Sequence, residues 1–166
     1  MASLKRKGDL AESRVAADLI ARGCQLSIPF GEDSDYDLIA DYDGRLHRVQ
    51  VKYTKSDGRV IKVNCRSHSL TKGKVRQTKI YTSATVDWIV AYDPTTDRFY
   101  YVPSWILGTG GMTGLLLRLT PTLNGQSLGI RLAEDYLDPD FSVDPSMEPA
   151  GFEPAASALQ TRRSAN

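Results

Sequence analysis

The sequence predicts an α+β domain, in which one helix is followed by a run of strands joined by tight turns. Two patterns indicate this fold class. Apolar residues recur at helical spacing near the N-terminus, over residues 8–22. Beyond them, short stretches rich in Val, Ile and Tyr are separated by turn signals such as Asp43-Gly44. We therefore expect a mixed β-sheet with the helix packed on it.

The individual elements follow in chain order. The helix over residues 8–22 ends before Gly23, which stands where a C-cap glycine belongs. Strands are predicted at residues 24–28, 36–41, 45–54, 59–65, 86–92 and 98–102, with an edge strand at 115–119. Residues 67–79 show no clear period and are predicted as a loop. Residues 131–137 are predicted as a short closing helix.

Composition divides the chain into a domain over residues 1–137 and a tail over residues 138–166. A length of 166 residues suits one domain, and an apolar fraction of 41% is enough for an ordinary core. From Asp138 onward, Pro, Ala, Ser and acidic residues dominate. Because such a segment has too little apolar surface to offset the entropy of ordering, we expect it to be disordered.

The net charge of +1 conceals two unlike halves. Residues 1–80 hold 16 Lys and Arg against 10 Asp and Glu, whereas residues 81–166 hold 5 against 10. Between Gly58 and Ile80 there is no acidic residue, and there are seven basic ones: Arg59, Lys62, Arg66, Lys72, Lys74, Arg76 and Lys79. A local basic field attracts a polyanion. A solvated face with its counter-charges elsewhere in space explains the charges equally well.

Two classes of protein are disfavoured. No stretch approaches the roughly 20 apolar residues that a membrane span needs, and the basic N-terminus lacks the apolar block of a signal peptide. Cys24 and Cys65 are isolated and form no metal-binding cluster, which indicates reduced thiols. We therefore expect a cytoplasmic protein that is not secreted.

The alternation of residues 48–52 brings the first candidate site residues together. Successive side chains of a strand face opposite ways, so Arg48, Gln50 and Lys52 share one face. The Asp43-Gly44 turn returns the chain beside the preceding strand, where Asp37 can approach that face. Taken alone, the alternation is better explained by the polar outer face of a sheet.

Glu12 adds a second acid. It lies at spacings of three, four and seven residues from Val15, Ala16 and Leu19, at the border of the stripe that should pack on the sheet. A carboxylate there is costly unless a positive charge meets it. Glu12 is directed to solvent, or paired with a cation along the helix, or a metal ligand in the same pocket as Asp37.

These motifs, in this order and context, resemble those of the PD-(D/E)xK nuclease superfamily. They are Lys7-Gly8-Asp9-Leu10-Ala11-Glu12 opening the helix, Tyr36-Asp37-Leu38-Ile39, and Val49-Gln50-Val51-Lys52. More narrowly, the chain is similar to the group I intron homing endonucleases in which Gln replaces the second acid. The resemblance covers about residues 5–137 and implies a restriction-endonuclease-like core.

The resemblance implies an active site of Glu12, Asp37, Gln50 and Lys52 that depends on Mg²⁺ or Mn²⁺. Asp37, Gln50 and Glu12 would bind the metal, and Lys52 would lie beside the scissile phosphate. The carbonyl oxygen of Gln50 is a hard donor, but it brings no charge. The anionic ligands are then Asp37 and Glu12, and the number of metals is left open.

The resemblance also implies the partners, which are double-stranded DNA and further copies of the chain in a homodimer or homotetramer. The seven basic residues would contact the DNA, which would associate the protein with the nucleoid, and no membrane is involved. The expected activity is site-specific double-strand cleavage by an intron-encoded homing endonuclease. The same four site residues would serve a repair or recombination nuclease, such as a Holliday junction resolvase. A decayed DNA-binding protein of the same fold is a third alternative.

Overall fold

The computed structural model of the protein describes residues 3–31, 33–71, 74–122 and 129–150. The helix is α1 (Leu4–Ala21). The ten strands of the described residues are β1 (Gln25–Ser27), β2 (Leu38–Tyr42), β3 (Arg45–Tyr53), β4 (Val60–Asn64), β5 (Arg66–Thr71), β6 (Lys74–Ile80), β7 (Trp88–Asp93), β8 (Arg98–Pro103), β9 (Gly114–Arg118) and β10 (Arg131–Leu132). Two 3₁₀ turns, Ser104–Ile106 and Ala133–Tyr136, complete the described elements.

Helix α1 begins four residues earlier than the apolar pattern predicts. Ser3 is its N-cap, and the Ser3 side chain accepts a hydrogen bond from the backbone nitrogen of Arg6. At the other end Gly23 has a φ of 92°, which a glycine adopts without strain. The buried row of α1 is Ala11, Val15 and Leu19, so the helix turns the side that carries Glu12 toward the sheet.

The main sheet is mixed, as expected, with the strand order β1-β2-β3-β7-β8. Strand β3 pairs parallel with β7, and the other neighbours pair antiparallel. One core cluster joins Val15 and Leu19 of α1 to Val49 and Val51 of β3 and to Val90 of β7. The helix therefore covers one face of this sheet, and Gln50 and Lys52 alternate onto the other.

The opposite face of the main sheet packs on a second sheet, ordered β10-β9-β4. The second core cluster joins Ile61 of β4 and Leu117 of β9 to Ile89 and Tyr100 of the main sheet. Strand β9 was expected at an edge, but it lies between β4 and β10. The burial of Leu115 and Leu117 on one face of β9 does not indicate how many strands pair with its backbone.

Two predicted elements have a different type of secondary structure in the protein. Residues 67–79, predicted as a loop, largely form the antiparallel hairpin of β5 and β6, with a register shift between Ser69 and Leu70. Pairing of the two segments through their backbones does not require the apolar alternation by which strands are recognised in a sequence. The predicted closing helix is instead β10 followed by a 3₁₀ turn, because Arg131 and Leu132 pair with β9.

The first part of the predicted tail packs on the domain. Phe141 is 4% exposed and belongs to the core cluster under α1. The backbone carbonyl of Pro145 accepts hydrogen bonds from the backbone nitrogen of Trp105 and the hydroxyl of Ser104. Residues 138–150 thus contact the domain through Phe141 and Pro145, while residues 151–166 lie outside the described residues. Among the described helices, none is both long and apolar enough to cross a membrane.

Candidate active site

Asp37 lies just before β2, beside the middle of β3. Its backbone nitrogen donates to the carbonyl of Val49, with 2.9 Å between the two atoms. Its Oδ2 accepts hydrogen bonds from the backbone nitrogen of Val51 at 2.8 Å and from Nε2 of Gln50 at 2.5 Å. No hydrogen bond to Oδ1 is recorded from the described residues. One oxygen therefore anchors the carboxylate to β3, and the other is left for a ligand.

Gln50 is 7% exposed and presents its amide nitrogen to Asp37. The same nitrogen donates to the carbonyl of Val51 at 3.2 Å. A half-turn of the terminal amide would exchange its nitrogen for its oxygen without moving the rest of the side chain. The predicted approach of Gln50 to Asp37 is therefore present, with the donor side of the amide toward the acid.

Glu12 and Asp37 line one pocket of about 190 Å³, and the other lining residues are Ile28, Pro29, Gly31, Ser34 and Tyr36. Partial burial raises the pKa of Glu12, and the negative charges of Asp37 and Asp9 raise it further. Burial also raises the pKa of Asp37, against the opposing effects of the Val51 hydrogen bond and the Lys52 charge. Both carboxylates are thus held where their ionised forms lack a sufficient counter-charge.

The donor set fits a hard divalent cation. Two carboxylates with raised pKa values gain most from a cation placed between them, and oxygen is the donor that Mg²⁺ prefers. The described residues hold no group of three or more His, Cys, Asp and Glu side chains that could bind a metal. A site here has two acids, Glu12 and Asp37, and would need a neutral donor such as Gln50.

Lys52 extends from the same face of β3 as Gln50. Its Nζ lies 3.1 Å from the hydroxyl oxygen of Tyr81 and 4.8 Å from the centre of that ring. Its charge lowers the pKa of Asp37 and also acts on Cys65, whose pKa is nevertheless raised to about 11 by burial. The ammonium therefore neighbours the Asp37 site but is held by an uncharged partner.

A profile of the PD-(D/E)XK endonuclease family matches residues 2–139, most of the chain. The chain belongs to the PD-(D/E)XK endonuclease family. Among solved structures, a bacterial homing endonuclease, I-Ssp6803I, superposes with a TM-score of 0.62 at 24% identity, over 81% of this chain and 88% of that one. The predicted restriction-endonuclease-like fold is thereby confirmed. No curated protein matches the chain.

Within this PD-(D/E)XK endonuclease, the basic residues of the candidate DNA interface are only partly described. Arg59, Lys62 and Arg66 are exposed, and the last two line a polar groove together with Lys55 and Asn64. Lys79 is half-buried, and its Nζ lies 3.2 Å from Oδ1 of Asp35 and 3.1 Å from the carbonyl of Asp33.

The other three predicted DNA contacts are less defined. Lys74 and Arg76 lie on β6, and their side chains are outside the described part. Lys72 lies outside the described residues altogether. DNA contact by these three residues therefore remains a prediction.

Two features of the site were not found from the sequence. Tyr81 is 29 residues from Lys52 in the chain and lies between the loop predicted over residues 67–79 and the strand predicted over residues 86–92, so no local pattern connects the two. The loop residues Ile28 and Phe30, which are 79% and 107% exposed, lie at or beside the Glu12 pocket. The strand predicted over residues 24–28 includes Ile28 but leaves out Phe30, and the sequence gives no sign that either side chain is exposed.

Proposed function

We propose that this family member is a divalent-metal-dependent, site-specific DNA endonuclease that breaks both strands of a duplex. The observation that carries the proposal is the pocket shared by Glu12 and Asp37, whose carboxylates repel each other and each have a raised pKa. Lys52 extends from the strand that anchors Asp37. Two acids that need a cation and a nearby ammonium suit the hydrolysis of a phosphodiester.

Each side chain has its own task in this proposal. Glu12 and Asp37 would hold the cation, and Gln50 would add a neutral oxygen after a half-turn of its amide. The cation supplies Lewis-acid polarisation of the phosphate. Lys52 is placed to stabilise the negative charge that grows on the phosphate oxygens as the bond to the attacking oxygen forms. Losing such an electrostatic contribution typically costs roughly 10²–10³-fold in rate.

The specificity and assembly in the proposal rest on two further supports. The structural neighbour is described as a homing endonuclease, and the exposed Arg59, Lys62 and Arg66 offer positive charge for the DNA backbone. One active site per chain cuts one strand. A double-strand break therefore favours a homodimer or a homotetramer with closed symmetry.

The test is cleavage of DNA by Asp37→Ala and Lys52→Ala in the presence of Mg²⁺ or Mn²⁺. Both variants should lose cleavage and retain DNA affinity, measured in Ca²⁺ by a gel-shift assay. Glu134→Ala removes an exposed acid on a 3₁₀ turn and should cleave normally. Normal cleavage by either site variant would refute the assignment.

Substrate choice needs a second assay. A plain duplex library and a four-way junction are digested side by side, and the ends are mapped. Cleavage of one long duplex site supports the proposal. Preferential cleavage of the junction would instead support a resolvase.

A further inference from the structure

We propose that Tyr81 is the positioning residue for Lys52, holding its ammonium where the phosphate is bound. The inference rests on the proposed function, because it gives Lys52 the role of contacting phosphate. It begins from one contact, the 3.1 Å between Lys52 Nζ and the Tyr81 hydroxyl oxygen. The same nitrogen is 4.8 Å from the ring centre, so the hydroxyl is the nearer part of Tyr81.

Tyr81 is suited to this task because its own position is fixed. It is 2% exposed and belongs to the core cluster between the two sheets. Its backbone nitrogen donates to the carbonyl of Cys65 at 3.0 Å. On the other side is Gly111, where an added Cβ would lie 2.6 Å from the Tyr81 carbonyl oxygen. Backbone and ring are thus held from several sides.

Lys52 needs such a partner. Its four-carbon stem has many rotamers, and a free ammonium would lose much of that freedom on meeting the phosphate. A hydrogen bond to a rigid hydroxyl removes that freedom beforehand. The hydrogen-bond partner of Lys52 is the Tyr81 hydroxyl and not a carboxylate, and burial raises the pKa of the nearby Cys65 thiol to about 11. Among the described residues Lys52 forms no ion pair, so its ammonium is oriented by a hydroxyl while its charge still acts on Asp37.

Tyr100, in the same core cluster, provides a matched control for a purely structural role of Tyr81. Tyr100 is 1% exposed, and its hydroxyl has no hydrogen-bond partner within the described ranges. Tyr100→Phe and Tyr81→Phe each remove one buried hydroxyl and keep the ring. Only Tyr81→Phe removes a bond to Lys52, so a difference between the two variants reports on Lys52.

The contact itself is tested without any cleavage. Trace acetylation with acetic anhydride at one fixed pH, followed by mass spectrometry, gives the reactivity of Lys52 relative to the exposed Lys5. Tyr81→Phe frees the Lys52 amine from its hydrogen bond and should raise its relative reactivity several-fold, and Tyr100→Phe should leave it unchanged. Equal relative reactivity in wild type and Tyr81→Phe would overturn the proposal, whatever the protein cleaves.

The functional half is tested by single-turnover cleavage of the mapped duplex site in Mg²⁺, with DNA affinity measured in Ca²⁺. Tyr81→Phe should slow the cleavage step roughly 10–100-fold, as removal of partners that orient site residues commonly does, while affinity changes less than about twofold. An unchanged rate with altered reactivity would overturn the positioning role. A wild-type protein that cleaves nothing would refute the proposed function and leave the reactivity result standing.

Discussion

Gln50 donates a hydrogen bond from Nε2 to Oδ2 of Asp37, with 2.5 Å between the two atoms. An amide in this place changes the electrostatics of the pocket. A carboxylate at position 50 would face Asp37 with a like charge and no proton to share, whereas the amide supplies a donor. The pocket therefore tolerates the absence of a cation better than a site with three acids would.

Gln50→Glu should lower stability in the absence of divalent cations and increase the response to them. Losing the donor to Asp37 and adding a charge should cost roughly 1–3 kcal/mol. With Mg²⁺ or Ca²⁺ added, the new carboxylate is a charged oxygen ligand, so the gain in Tm should exceed that of wild type. Gln25→Glu, at an exposed position on β1, is the matched control and should show neither effect. Equal cation responses in wild type and Gln50→Glu would exclude position 50 from the metal site.

Glu12→Gln should stabilise the protein at neutral pH when no cation is present. The pKa of Glu12 is raised on folding, so the folded state holds its proton more tightly than the unfolded state. The stability contributed by this group is present below the unfolded pKa and is lost as pH rises through the folded one. Removing the charge should therefore add stability, by about 1 kcal/mol at most because solvent screens this partly exposed group.

Thermal unfolding with and without Ca²⁺ checks this prediction. Wild type should gain Tm with Ca²⁺, by an amount corresponding to about 2.7 kcal/mol at a concentration 100 times Kd, whereas Glu12→Gln should gain much less. The exposed Glu134 provides the control, as Glu134→Gln should change stability by less than about 0.5 kcal/mol. A Glu12→Gln variant less stable than wild type at neutral pH would argue against the repulsion in the pocket.

Arg59→Ala and Lys62→Ala should weaken DNA binding in a salt-dependent manner. Both side chains are exposed in the basic segment of the chain. If each contacts one phosphate, each substitution reduces the slope of log affinity against log salt by about 1. Affinities over a salt series measure the slope. Arg98→Ala removes an exposed cation outside this segment and should leave the slope unchanged; an equal loss with Arg98→Ala would mean that general charge, not this surface, binds DNA.

Phe141→Ala should destabilise the domain by about 3–5 kcal/mol, the usual cost of removing a buried aromatic ring. The ring of Phe141 lies within 6 Å, centre to centre, of the rings of His47, Trp88 and Tyr101. The backbone carbonyl of Phe141 also lies 3.0 Å from Nε2 of the buried His47. Urea denaturation gives the free energy of unfolding. Met147→Ala, at a residue 67% exposed in the same segment, should stay within about 0.5 kcal/mol of wild type.

The sequence by itself determined the helix that carries Glu12, the strands β2 and β3 with their turn, and the alternation that sets Gln50 and Lys52 on one face. These features depend on local periodicity and turn chemistry, which neighbouring residues specify. The order of the motifs also led to the endonuclease family that the profile match confirms.

The tertiary structure decided the features that depend on contacts between residues far apart in the chain. The β5–β6 hairpin and the central place of β9 arise from backbone pairing between segments, which leaves little trace in side-chain patterns. The contact of residues 138–150 with the domain depends on the core cluster in which Phe141 packs. The contact between Lys52 and Tyr81 joins residues 29 positions apart, and it exists because Tyr81 packs in the core cluster between the two sheets, which neither segment encodes alone.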